Sequence, residues 1–311
     1  MKYETSWTDR SAESTPSSFP LTYTLITAAR NEVQNIERTI QSVIKQTVRP
    51  LKWVIVSDGS TDGTDEIVGK YVAECGWIEL VRRPERAERH FAGKADCFNA
   101  GYRYLQDLQF DIIGNLDADM SFEEDYFSFL LSKFAQDETL GVAGTRFREG
   151  SETYDYRFTS IEHVSGQCQL FRRECLTEIG GYAALKEGGI DLVATITARM
   201  NGWKTRTFPE KLIEHHRKTQ IGRYSSRAAE FRSGYHDYLM GADPVWQVFR
   251  CIYQSSKWPY VIRGILLLAG YVWAVLRQAE RPVSKEFIAF RKQEQMRRLK
   301  KLFSSLLGCS R

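Results

Sequence analysis

Two carboxylates stand two residues apart in Asn115-Leu116-Asp117-Ala118-Asp119, at the end of an apolar run holding Phe110, Ile112, Ile113 and Leu116. In an extended chain alternate side chains share a face, so Asp117 and Asp119 can meet one cation while Ala118 turns away. Hard oxygen ligands of that kind suit Mg²⁺ or Mn²⁺ carrying phosphates. The plainer alternative is an acidic turn capping a helix that starts near Phe122, because Asp favours turns and caps.

The elements around the pair weigh on the choice. Leu21–Thr27 reads as a buried strand and is followed by a helix with Val33, Ile36, Ile40, Val43 and Ile44 on one face. A second strand, Trp53–Val56, runs into the Gly- and Asp-rich loop Ser57–Thr64, where Asp62 is placed to cap a helix over about 63–73. A third strand over 77–82 and a helix opening at Gly93-Lys94-Ala95 lead to the strand that carries the aspartates. Further strands are expected over 140–147 and 168–173, and a helix over 191–201 stopped by Gly202. This alternation predicts an α/β fold: a mainly parallel, twisted sheet flanked by helices. The polar loops after Thr27, Val56 and Leu116 then converge on the carboxyl rim of that sheet, where such folds bind ligands.

Composition sets the frame. At 311 residues, 42% hydrophobic and 26% charged, the chain has room for one large domain and an appendage. The net charge of +4 hides two unlike parts: residues 1–210 hold 24 Lys and Arg against 32 Asp and Glu, and residues 211–311 hold 19 against 7. The basic C-terminal third is thus suited to an anionic partner, whether a phosphate-bearing ligand, a membrane surface or nucleic acid. The six cysteines show no metal or disulfide spacing, which fits a reducing cytosol. Residues 1–20 are polar, without the apolar core of a signal peptide, and read as a disordered tail.

Five stretches occur in a telling order: L-I-T-A-A-R-N-E (25–32), V-S-D-G-S-T-D-G-T (56–64), G-K-A-D-C-F-N-A-G (93–101), N-L-D-A-D (115–119) and L-F-R-R-E-C-L-T-E-I-G-G-Y (170–182). Together they resemble glycosyltransferase family 2, over about Leu21–Phe208. The resemblance implies a GT-A fold over 21–210 and inverting transfer of a sugar from a nucleoside-diphosphate donor, UDP- or GDP-linked, with Mg²⁺ or Mn²⁺ at the D-x-D. By position it implies that Ala28, Ala29 and Glu32 contact the nucleoside, that Asp58 bonds the base edge, and that Lys94 lies near the donor. Asp117 would serve the ribose or diphosphate side and the metal, Asp119 the metal. Without the family, Glu32 could be a first-turn carboxylate, Asp58 a turn former and Lys94 a solvated lysine.

The family's catalytic base falls on Asp191, counted back from Gly202-Trp203, with Ile190 where the family usually has Glu. A base is required on the face of the anomeric carbon opposite the leaving diphosphate, though Asp191 could instead cap its helix. The stretch His215-His216-Arg217-Lys218 matches a basic segment that the family often closes over the diphosphate. Arg217 and Lys218, with Arg223, would act as clamps, and His215 or His216 could add a metal ligand. The whole resembles transferases from bacterial exopolysaccharide gene clusters. No Q-x-x-R-W motif is present, which argues against a processive synthase.

Residues 211–311 read as a basic helical extension. Trp258–Leu276 is apolar, near the lower limit for a membrane span, and basic on both flanks, so an interfacial or re-entrant helix fits better than a crossing; a core helix is the other reading. From Ser284 a basic amphipathic helix follows, suited to an anionic bilayer; no nucleic-acid module accompanies it. The sequence therefore predicts a cytoplasmic enzyme, peripheral or monotopic at the inner face of the cell membrane, that moves a sugar to a hydroxyl of a lipid-linked or other glycan acceptor in surface polysaccharide synthesis. Two alternatives stay open: a polyprenyl-phosphate glycosyl transferase, and a non-catalytic nucleotide-sugar-binding scaffold.

Overall fold

The computed structural model describes residues 20–85, 92–149, 152–153, 160–217, 226–257 and 260–306. Apart from Pro20, the tail expected over 1–20 lies outside them, as do Lys218 and Arg223. Strand β1 (Tyr23–Ala29), helix α1 (Ile36–Ile44), β2 (Lys52–Asp58), α2 (Thr64–Glu74) and β3 (Ile78–Arg83) make two parallel strand–helix–strand units. Helix α3 (Ala92–Arg103) then leads to β4 (Ile112–Leu116), which pairs in parallel with the free side of β1. Strand order reverses at β1, and such a reversal opens a crevice at the carboxyl ends of the strands.

The reason these segments form a central sheet is visible in β2. Trp53 and Ile55 enter one core with α1, α2 and α4, while Val54 and Val56 enter the other with α3 and α6. A strand apolar on both faces is stable only between two helix layers. Ile36, Ile40 and Val43 supply the matching stripe on α1, all fully buried.

The second half is mixed in direction. Strand β5 (Met120–Ser121), α4 (Tyr126–Gln136), β6 (Leu140–Glu149), β7 (Glu152–Thr153), β8 (Cys168–Arg172), α5 (Arg173–Glu178), α6 (Ile190–Met200) and β9 (Lys204–His215) complete a sheet ordered β3-β2-β1-β4-β8-β6-β9-β5, with β7 on β6. β8 runs antiparallel to β4 and β6, so it begins at the rim where β4 ends, Cys168 opposite Leu116. β9 is parallel to β6 and carries the sheet past the composition change near residue 210 to His215, which pairs with Met120.

Among the described residues four helices follow: α7 (Ser226–Leu239), α8 (Pro244–Ser255), α9 (Tyr260–Leu276) and α10 (Lys285–Leu306). Helices α7 and α9 meet backbone to backbone, because a Cβ on Gly234 would run into the Leu267 carbonyl and one on Gly270 into that of Phe231. Gly234→Ala is expected to destabilise the protein by about 1–3 kcal/mol, since the added methyl must force two helices apart; thermal unfolding measures this. Helix α10 is bolted to α6 by a bidentate pair, Arg199 Nε to Glu294 Oε1 at 2.6 Å and Nη2 to Oε2 at 2.9 Å, nearly shielded from solvent. No helix of the described residues is long and apolar enough to cross a membrane.

Candidate functional site

The site assembles at the carboxyl rim where β1, β4 and the start of β8 meet. β4 stops at Leu116, so Asp117-Ala118-Asp119 forms the turn into β5 rather than an extended strand end. The alternating-face expectation is corrected accordingly: the two carboxylates take different partners. Nor do they cap the next helix, which begins at Tyr126 after Asp125.

Asp117 is held by Lys94, whose ammonium pairs with its Oδ1 and also donates to the Gly166 carbonyl at 2.8 Å. Lys94 is thus engaged at the rim rather than solvated. Burial raises the Asp117 carboxyl above its ordinary value even against the Lys94 ammonium, and the neighbouring Asp119 charge adds to the rise. Asn115 Nδ2 donates to the same Gly166 carbonyl at 2.8 Å, and the Gly166 N–H donates to Asp191 Oδ2 at 3.2 Å. Gly166 sits at the rim because Asp117 N–H bonds the Gln167 carbonyl at 2.8 Å, continuing the β4–β8 ladder. A Cβ there would lie 3.1 Å from that of Asp191, so glycine lets the base candidate approach.

Asp191 is half-buried in the first turn of α6, but the residue capping that helix is Gly189, with φ +82°, and no side chain caps it. Gly188 and Gly189 both adopt positive φ, which reorients the chain into α6 and presents Asp191 toward Gly166.

Asp119 is 93% buried from solvent, and its Oδ1 has no hydrogen-bond partner among the described residues. Its Oδ2 lies 3.2 Å from His215 Nε2, and His215 Nδ1 lies 2.6 Å from Glu149 Oε1. Burial opposes charge on this imidazole, yet Asp119 and Glu149 together raise its pKa. His216 turns elsewhere: its N–H bonds the Asp119 carbonyl at 2.9 Å and its Nε2 the Ser121 hydroxyl at 2.6 Å. A buried carboxylate oxygen without a donor, next to an imidazole oriented by a second carboxylate, suits a divalent cation. Among the described residues no group of three or more His, Cys, Asp and Glu is arranged to hold a metal ion; Asp119 and His215 are the two described side chains here that could serve as ligands, with ligand oxygens and water beside them.

Glu149 was not legible from the sequence. It becomes visible only once β6 and β9 pair, which brings Arg148 opposite Glu214 and Glu149 beside His215. Glu149→Gln is expected to weaken Mn²⁺ binding about 10- to 100-fold with the fold intact, read by titration calorimetry. As a metal ligand His215 would have to lose a proton, so affinity is also expected to fall up to about tenfold per pH unit below its raised pKa, and this slope would shift to lower pH in Glu149→Gln.

Beside these groups a polar cleft of about 390 Å³ is lined by Asn31, Glu32, Val33, Gln34, Asn35, Asp62, His216 and Arg217. Its shape is fixed by Asp62, whose Oδ2 accepts from Val33 N–H at 3.1 Å and whose Oδ1 accepts from Thr64 N–H at 3.0 Å. Glu32 lies ahead of α1, not in its first turn; its N–H donates to Thr64 Oγ1 at 2.8 Å and its carboxylate pairs with Arg217. Ala28 and Ala29 end β1 opposite Val56 and Ser57, which leads to buried Asp58, 3.8 Å from Arg30. The structure therefore gathers Glu32, Arg217, Asp119, His215, Asp117, Lys94 and Asp191 around one rim.

The glycosyl transferase family 2 model matches residues 24–190. Poly-beta-1,6-N-acetyl-D-glucosamine synthase of Staphylococcus aureus (strain COL) is 25% identical over 177 residues, 50% of this chain and 41% of that protein. Chondroitin synthase of Pasteurella multocida (strain Pm70) is 31% identical over 120 residues, 39% of this chain and 12% of that protein. The chain thus spans less than half the length of these curated relatives. Among solved structures, a mannosyltransferase from Pyrobaculum calidifontis in complex with GDP-Man and Mn²⁺ superposes with a TM-score of 0.55 at 20% identity, covering 88% of this chain and 79% of that one. S. aureus TarS 1-349 in complex with UDP gives 0.54 at 14% identity, covering 84% and 92%. The fold is that of GT-A glycosyltransferases, and with more than half its length matched by the family model the chain belongs to glycosyltransferase family 2.

Proposed function

We propose that the protein is an inverting transferase moving a sugar from a UDP- or GDP-linked donor to a hydroxyl of a glycan acceptor. The observation that carries this reading is the chain of contacts Asp117–Lys94–Gly166–Asp191, which holds the base candidate within one residue's reach of the D-x-D turn. The nucleoside would enter the cleft beside Glu32 and Asp58, with Arg217 exchanging its pairing from Glu32 to the diphosphate. The ammonium of Lys94 would steady Asp117 against the donor while keeping its own charge close to the leaving group. Asp119 and His215 would hold the cation, whose service is to neutralise the charge that develops on the leaving diphosphate. An imidazole in the donor set favours Mn²⁺ over Mg²⁺.

Asp191 takes the proton of the attacking hydroxyl. Gly166 N–H fixes its Oδ2, which orients the carboxylate and leaves Oδ1 as the accepting atom. The similarity to synthases of polymeric glycans supports a saccharide hydroxyl as the acceptor. The basic extension over 211–311 supports an acceptor carried on a lipid at the inner face of the cell membrane. A thermal-shift screen of UDP- and GDP-sugars with Mn²⁺ tests the reading: one donor series should raise the melting temperature, since a ligand bound only by the folded state stabilises it by mass action. No shift with any donor would sink it.

A further inference from the structure

The outer surface of α8 and α9 carries an apolar face that the transfer chemistry does not use. On α9, Val261, Ile262, Ile265, Leu268, Val272, Trp273, Val275 and Leu276 are all exposed, Leu276 by 74%. Positions 261, 265, 268, 272 and 276 fall on one stripe of a 3.6-residue helix. Helix α8 extends the surface with Val245, Val248 and Ile252, the last 68% exposed, and Phe303 of α10 adjoins it through Phe249, ring centroids 6.3 Å apart. Between residues 244 and 285 the sequence has a single acid, Glu280, against six bases.

We infer that this face lies flat in the headgroup region of an anionic bilayer, α9 parallel to the surface. Three observations select that occupant. The opposite side of α9 is committed to protein: Gly264, Leu267, Gly270, Tyr271 and Ala274 are buried, and a Cβ on Gly264 would meet Cys251 O and Ser255 Oγ of α8. The helix therefore cannot stand upright in lipid without leaving α7 and α8, and its 17 residues reach only about 25 Å against a hydrocarbon core of about 30 Å. Cations flank both ends, Lys257 4.7 Å over the Tyr253 ring and Arg277 4.6 Å over that of Trp273. Both can reach the headgroups of one leaflet at once only if the helix lies in the plane. Arg297, Lys300 and Lys301 are exposed on α10 within a turn or two of Phe303, so charge and apolar surface adjoin.

This deepens the transferase reading by naming where a lipid-carried acceptor would be presented, and depends on that reading only for the acceptor. The face is also tied to the base helix. His236 of α7 presses on Gly189 at the start of α6, and α10 grips α6 through Arg199 and Glu294.

Flotation of the full chain with phosphatidylcholine vesicles, with and without about 30% phosphatidylglycerol, tests the inference. The chain is expected to float with the anionic vesicles. Ile265→Glu with Val272→Glu should cut binding by about tenfold or more at an unchanged melting temperature, because both side chains are exposed. Lys300→Gln with Lys301→Gln should reduce the anionic preference by roughly tenfold. Failure to float with either vesicle, or undiminished binding of the glutamate variant, overturns the inference. So does a concentration-dependent dimer, without lipid, that the glutamate variant dissolves, since the face would then belong to a second copy. Mn²⁺-dependent UDP or GDP binding measured on the same variants is expected to be unchanged, which keeps a failure here distinct from a failure of the transferase reading.

Discussion

Asp191→Asn is expected to lower sugar transfer by about 10²- to 10⁴-fold while leaving nucleotide binding within about twofold. The amide has the size of the carboxylate and can still accept from Gly166 N–H, so the approach of α6 to the rim is preserved. What it loses is basicity, and the attacking hydroxyl then has no acceptor for its proton. Single-turnover transfer, paired with calorimetry for the nucleotide, separates the two effects. Transfer that survives the change would remove Asp191 as the base. It would also favour a polyprenyl phosphate as acceptor, because an anionic nucleophile needs no deprotonation.

The second large effect is expected at Asp119. Replacing it with Asn should abolish the Mn²⁺ dependence of donor binding and reduce transfer by about 10³-fold, the scale of charge stabilisation that a cation supplies to a leaving diphosphate. The carboxylate is buried, with no donor to Oδ1 among the described residues and Oδ2 facing His215. An amide in that place offers one oxygen in place of two and no charge. The variant should fold, because the Asp119 carbonyl, not its side chain, makes the β-type bond to His216 N–H. Calorimetric titration with Mn²⁺ and UDP or GDP reads the loss; full retention of metal-dependent binding would place the cation elsewhere.

The local chemistry of this chain was open to reading in its sequence, and the long-range pairing was not. Strands with apolar residues on both faces, such as Trp53–Val56, declare themselves by composition, and the loops that end them carry the aspartates and glycines of the rim. The five motifs could be ordered on the sheet because each is a strand end or helix start within a few residues. The partner of each side chain was hidden. Lys94 reaches Asp117 only because α3 returns to the rim, and Glu32 meets Arg217 across 185 positions of sequence. The strand β9 escaped notice because Lys204–His215 alternates poorly: its partner β6 shifts register at two places, and Pro209 interrupts the run. With β9 missing, His215 read as the start of a loose basic segment. In the structure it is the end of a strand, held by Glu149 on one side and Asp119 on the other.

The same register explains why the alternating-face argument for the D-x-D does not hold. Asp117 lies just past the β4–β8 ladder, whereas Asp119 already turns toward β5 and β9. One carboxylate is engaged by Lys94 and the other faces His215, so the two take different partners.

Release of nucleoside diphosphate from the donor is the most direct signature of metal-dependent transfer at this site. With purified protein, a panel of UDP- and GDP-sugars and Mn²⁺, one donor should yield free nucleoside diphosphate at a rate that EDTA abolishes, Mn²⁺ restores and Asp119→Asn does not support. Release that is indifferent to EDTA and to Asp119, or no release from any donor together with no binding of UDP or GDP, would contradict it.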